Sequence, residues 1–332
     1  MRSSTSNSDA SREGLRRSWL LALGLAIVAV GAWEFVLRDA GFEPEYADNR
    51  ALWLSARHRL SQLGPSAVAL VGASRMQRAI DVEALSQELG RPVVQLAMEG
   101  SSAIPMLENL AADPRFRGAV IYSVAPAFTF SRRLSKLDAG KQADWAKIYI
   151  DQSRSRRMEQ ELRLFVQGFF AFRSADAAIG KVTSEYRKSG QMAGFDKKST
   201  QRNRQVSMHL KDSDPVALAA FYRKNSAPYE RKGFAELLYY VSTLVNILEA
   251  KGCPVFIVRL PTGGAVLELE NELFSREKFW DPMQQRVAAR FIHFEDYPEL
   301  SDYVSADGSH VAAGGSSAFT RKLASVLRAN GL

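Results

Sequence analysis

A chain of 332 residues that is 46% hydrophobic can bury a full core, which excludes an intrinsically disordered protein. The net charge of +8 is unevenly spread: residues 131–232 hold 22 basic and 11 acidic side chains, leaving the remainder at −3, which argues against a uniformly basic nucleic-acid binder. A lone cysteine, Cys253, excludes an internal disulfide framework and any cysteine-based zinc site.

Residues 1–17 are rich in Ser and Asn, lack apolar periodicity and read as a disordered cytoplasmic tail. Residues 18–37 (SWLLALGLAIVAVGAWEFVL) form an apolar run whose helical length, about 30 Å, matches the hydrocarbon thickness of a bilayer. Trp19 and Trp33 lie near its two ends, and its one charge, Glu34, falls at the interface end. The run reads as an uncleaved transmembrane anchor. A cleaved signal peptide is the alternative, because Val30-Gly31-Ala32 offers small residues at a cleavage position, and Arg16-Arg17 faintly resembles a twin-arginine signal. Arg2, Arg12, Arg16 and Arg17 precede the run, so the expected topology is a single-pass inner-membrane protein with its folded part outside the cytoplasm, in the periplasm.

Residues 38–65 read as a juxtamembrane connector containing one helix, with Leu52, Trp53, Ala56 and Leu60 on one face. From residue 66 a rhythm sets in. Short apolar runs at 67–71 (AVALV), 92–96 (PVVQL), 118–124 (GAVIYSV), 254–260 (PVFIVRL) and 291–294 alternate with helical stretches at 81–89, 103–112, 234–250, 282–289 and 311–329. Continuous apolar strands separated by helices predict an α/β domain over 66–330, a doubly wound parallel five-stranded sheet covered on both faces. Chemistry in such sheets gathers at the carboxyl ends of the strands.

The rhythm is interrupted over 128–233. Helical pieces at 145–149, 158–172 and 217–224 make this a helical insertion, with a loop expected over 189–207. Its excess of positive charge suits either a solvated surface or contact with anionic lipid headgroups or an acidic glycan.

Gly72-Ala73-Ser74-Arg75 directly follows the first strand, placing a hydroxyl at the strand's carboxyl end beside helix N-terminal amides. It is neither G-x-S-x-G nor G-x-G-x-x-G, and a serine there is equally an ordinary helix cap. Near the other end, Asp307-Gly308-Ser309-His310 precedes the last helix. Asp three residues before His can reach Nδ1 and leave Nε2 free to take a proton from a serine. His58, His209 and His293 read as structural, Cys253 as an inert buried thiol, and Phe165, Phe169, Phe170 and Phe172 as a core or interface stripe. No His-x-x-x-His pair or phosphate loop is present, so neither a metal nor a cofactor is expected.

Taken together, Ser74 after strand one and Asp307-x-x-His310 before the last helix resemble the SGNH (GDSL-like) hydrolase family, over 67–125 and 251–327. Ala73 stands where that family's first block has Asp. Residues 95–102 (QLAMEGSS) are similar to the second block, which implies that the Gly100 and Ser74 amides form an oxyanion hole. The third block, Gly-x-Asn-Asp, has no counterpart: residues 123–127 read SVAPA, and Pro126 has no N–H to donate. Arg75 and Arg259 are the candidates for the missing donor, with ion pairing of Arg259, for instance to Glu99, as its structural alternative. The resemblance implies a flavodoxin-like sheet and an esterase or O-acyltransferase working through an acyl-serine on an envelope polysaccharide or lipid. The expected roles are Ser74 nucleophile, His310 base and Asp307 orienter. The other reading is a non-catalytic accessory protein that binds a glycan or a membrane O-acyltransferase.

Overall fold

The computed structural model describes residues 6–134, 139–174, 177–189, 198–208, 214–303 and 307–332. The chain divides into two compact units, residues 1–47 with 165–195, and residues 48–164 with 196–332.

The second unit is built on strands β1 (Val68–Val71), β2 (Val93–Gln95), β3 (Ala119–Ser123), β6 (Val255–Arg259) and β7 (Arg290–His293). All neighbours pair in parallel, in the order β2-β1-β3-β6-β7. The sequence-based strand positions therefore hold to within a few residues. β1, β3 and β6 are buried at every position, as the continuous apolar runs require of strands covered on both faces. One core layer sets Val71, Val120 and Ile257 against Leu107, Val241 and Val245, and the other sets Leu70, Ile121 and Val258 against Met76, Leu85 and Phe319. The chain steps from β1 to one side for β2 and to the other for β3, which makes the carboxyl end of β1 the topological switch point.

Several segments differ from their sequence-based reading. The connector helix, Arg50–Leu63, is part of the core: Trp53 is fully buried, donates from Nε1 to the Leu96 carbonyl at 3.2 Å and packs against Trp145. Its Arg57 is buried in an ion pair with Asp113 at 2.7 Å. Trp145, Tyr149 and Tyr222, from the stretch between β3 and β6, belong to the same core layer. The loop expected over 189–207 includes an antiparallel hairpin, β4 (Lys198–Thr200) and β5 (Val206–Met208). Its turn sets Arg204 in the left-handed region, at φ 66°, where the buried guanidinium donates to Asp48 and to the carbonyls of Gln95 and Ala97. Four donor contacts to fixed acceptors offset the strain of that backbone. A helix the sequence reading lacked, Gly264–Leu273, follows β6.

In the first unit, one helix runs from Ser6 to Asp39. The stretch Arg12–Asp39 is long and apolar enough to cross a membrane, with almost none of its most apolar window buried against protein. Residues 6–17, read as a disordered tail, are the first turns of this helix, with Arg17 paired to Glu13 at 3.1 Å one turn away.

Candidate active site

β1 ends at Val71, and Gly72 and Ala73 turn the chain into the helix Ser74–Ala79. Gly72 is required by close approach: a Cβ here would lie 2.8 Å from that of Met76 and 3.0 Å from that of Ser123. The turn is therefore tight, and it presents Ser74 at the carboxyl end of β1, an interior strand at the switch point of the sheet.

The partners arrive from the chain's last hundred residues. Asp307 Oδ1 accepts from the N–H groups of Ser309 at 2.9 Å and His310 at 3.0 Å, so one carboxylate oxygen shapes the turn. Gly308 has φ +69° and its α-carbon faces the Gly263 carbonyl, which a Cβ would approach to 2.6 Å. The second carboxylate oxygen, Oδ2, lies 2.6 Å from His310 Nδ1, and His310 Nε2 lies 3.0 Å from Ser74 Oγ. All three side chains are buried, none more than 7% exposed. Ser74, His310 and Asp307 thus meet in one hydrogen-bonded row.

A carboxylate only accepts, which places the imidazole proton on Nδ1 and leaves the Nε2 lone pair facing the serine hydroxyl. Burial, the largest influence, pulls the His310 pKa below its ordinary value; the Asp307 hydrogen bond opposes this, while Arg78 and Arg75 add to it. A neutral imidazole with its free nitrogen on a serine hydroxyl is the arrangement a general base needs.

The row opens onto a cavity of about 470 Å³. Gly100, at φ +70°, lines it with Ser74 and His310, and Phe128, Leu218, Phe221 and Tyr222 form an apolar wall. Arg78 and Glu99 pair across its edge. Two larger cavities, of about 580 and 760 Å³, are lined in part by His58 and by Gln152. Neither places a nucleophile against a base, so chemistry and not size picks out the site.

Arg75 and Arg259, the expected substitute donors, are engaged elsewhere. Both guanidiniums bind the buried carboxylate of Glu270, Arg75 at 2.7 Å and Arg259 at 2.5 Å, and Thr262 Oγ1 donates to the same carboxylate at 3.2 Å. Burial pushes the Glu270 pKa up, but Arg259 and Arg75 together outweigh it and hold the carboxyl below its ordinary range. Arg75 Nε also reaches Ser309 Oγ at 3.2 Å, tying the nucleophile's turn to the Asp307–His310 turn. The partner of Arg259 is Glu270, while Glu99 takes Arg78. Where the resemblance expects the third-block donor, Ser123 Oγ is buried at the end of β3 with no hydrogen-bond partner among the described residues.

Glu270 is the site-supporting residue that sequence reading missed. A signal was present: Val266, Leu269 and Glu270, spaced as one helical face, are the buried positions of their helix. An acid on an apolar face demands a cation, and two were at hand.

Of the other histidines, His58 and His293 sit in structural contacts. His58 Nε2 pairs with Gln152 at 2.8 Å, and burial pulls its pKa down. His293 lies against Trp280 and Phe294 and is pulled to about 3, first by burial and then by Arg259 and Arg276, so it stays neutral. His209 lies outside the described residues. Cys253 is buried, and burial pushes its thiol pKa up. Among the described residues no group of three or more His, Cys, Asp or Glu side chains could hold a metal ion.

Fold and site together define an α/β chain with a buried Ser–His–Asp row at the switch point of a parallel sheet. No protein-family model matches this chain, and no curated protein matches its sequence.

Proposed function

We propose that this protein is a divergent SGNH-like serine esterase or O-acyltransferase, held at a membrane by its N-terminal helix, that acts on an envelope polysaccharide or lipid. The observation that carries this reading is the row Ser74 Oγ, His310 Nε2 and Asp307 Oδ2, joined at 3.0 and 2.6 Å beside an open cavity. In the proposed reaction His310 takes the Ser74 proton as Oγ attacks the ester carbonyl. It then returns that proton to the leaving alcohol as the acyl-serine forms. Water or a glycan hydroxyl, deprotonated by the same nitrogen, then attacks the acyl-serine carbonyl, the bond to Ser74 Oγ breaks, and His310 returns the proton to Oγ. The Ser74 and Gly100 amides are assigned to the oxyanion, and the apolar wall of Phe128, Leu218 and Tyr222 to the acyl chain. The inner-membrane topology with a periplasmic domain belongs to the same reading and rests on the arginines before the span.

The accessory reading, a non-catalytic partner that binds a glycan or a membrane O-acyltransferase, is favoured by one observation: the third-block asparagine is absent, and Pro126 stands in that stretch. A fluorophosphonate probe separates the two. Ser74 should be covalently labelled, the S74A variant should not, and its melting temperature should change little, because the hydroxyl makes a hydrogen bond to His310 worth about 1 kcal/mol. Absence of labelling in the folded parent chain would refute the enzymatic reading.

A further inference from the structure

The carboxyl end of the helix Ser6–Asp39 carries a second element. Glu34, one turn before its end, accepts with Oε1 from the Ala171 N–H at 2.9 Å and with Oε2 from the Phe172 N–H at 3.0 Å. Arg38, paired with Glu34 at 2.6 Å, donates to the Phe169 carbonyl at 2.6 Å. Leu37 is fully buried among Phe42, Ala171, Ala177 and Val182, with Trp33 and Phe172 packed against this small core. Two charged side chains and an apolar core thus attach the segment Phe165–Phe172 to the last turns of the membrane-candidate helix.

The outer side of that segment is apolar and uncovered. Phe165 and Phe169 are 54% and 55% exposed with ring centroids 4.6 Å apart, and Phe170 and Val166 are 39% and 37% exposed. Four large apolar side chains within six residues form a patch that a water-facing surface rarely carries. The patch is joined to a helix whose own Leu20, Leu21, Leu25 and Ile27 are 63% exposed or more, and it is attached at Trp33–Arg38, where that helix changes from apolar to charged. Aromatic side chains at the end of a span occupy the headgroup–acyl boundary, where an apolar ring and a hydrated backbone are both satisfied.

We propose that Phe165–Phe170 is an interfacial foot, whose side chains enter the headgroup–acyl boundary of the phospholipid bilayer that the N-terminal helix crosses. The chain then holds the membrane at two points far apart in sequence, and the Glu34 and Arg38 bonds lock the depth of one to the other. This inference rests on the proposed crossing of the membrane by the N-terminal helix and not on the chemistry assigned to Ser74.

The test uses the full chain in nanodiscs of phosphatidylcholine and phosphatidylglycerol, with F169C labelled by an environment-sensitive fluorophore; the native Cys253 is buried and stays unlabelled when folded. Spin-labelled lipid carrying its nitroxide near the headgroup should quench the fluorophore at least twofold, with little quenching by aqueous iodide. Quenching by iodide and not by lipid would overturn the foot. Quenching by neither would also overturn it, because the patch would then be covered by protein. V166C provides the same readout should F169C fail to fold.

Discussion

Removing the charge of Glu270 tests whether the buried ion cluster behind Ser74 holds the site together. Its carboxylate receives Arg75 through two nitrogens, at 3.3 and 2.7 Å, Arg259 at 2.5 Å and Thr262 at 3.2 Å, and it is 2% exposed. E270Q keeps the shape but leaves two buried guanidiniums with no carboxylate. Breaking a buried pair from one side costs about 3–5 kcal/mol, because the remaining charge stays desolvated. At about 2 °C per kcal/mol for a chain of this size, the melting temperature should fall by about 6–10 °C. The triple variant R75M/E270L/R259M removes every charge of the cluster and should recover most of that loss, since apolar replacement of a whole buried ion cluster is often neutral. Differential scanning fluorimetry in detergent reads both. The rate of fluorophosphonate labelling should fall in E270Q, where Arg75 loses the carboxylate that fixes it beside Ser309, and remain low in the triple variant, where Arg75 and its bond to the turn that carries His310 are gone. A shift below about 2 °C for E270Q, or a triple variant less stable than the single one, would refute the reasoning.

Two further outcomes follow from the burial of three histidines. His310, His58 and His293 all have pKa values held below the ordinary 6.5, so the unfolded chain binds more protons than the folded one as pH falls past about 6.5. Stability should therefore change little from pH 7.5 to about 6.5 and then drop toward pH 5, by about 1.4 kcal/mol per pH unit for each histidine titrating only when unfolded, and a urea midpoint that stays constant would contradict this. On an aryl ester the acid limb of kcat/KM should fall below pH 6.5, since the free protein holds His310 neutral; a limb above 7 would contradict the assigned environment. G308A forces a Cβ toward the Gly263 carbonyl at a backbone with φ +69°, so the turn must move. Serine labelling should fall at least tenfold while the far-ultraviolet circular dichroism stays unchanged, and full labelling would show that the turn is not held as described.

The apolar runs at 67–71, 92–96, 118–124, 254–260 and 291–294 specify strands by themselves, because a segment buried on both faces must be apolar throughout, and that is a local property. The apolar run at 18–37, long enough to cross a membrane, is likewise legible because its composition is local, as is the Asp307–His310 contact, three residues apart. The order Ser, Asp, His and the position of each beside a strand or helix end pointed to a meeting of Ser74 and His310, but their contact spans 236 positions and exists only because the fold brings the Asp307–His310 turn to the carboxyl end of β1. What the sequence left open were the destinations of long polar side chains. Arg75 and Arg259 carry no mark of whether they face a ligand or a carboxylate; the helix Gly264–Leu273 decides it by bringing Glu270 between them. Arg204 looked like one more charge in a polar loop, yet it is buried on Asp48 and two carbonyls near the end of β2. Hydrophobic pattern is written residue by residue along the chain, whereas the partner of a buried charge is set by which distant segments the sheet and helices bring within about 3 Å of it.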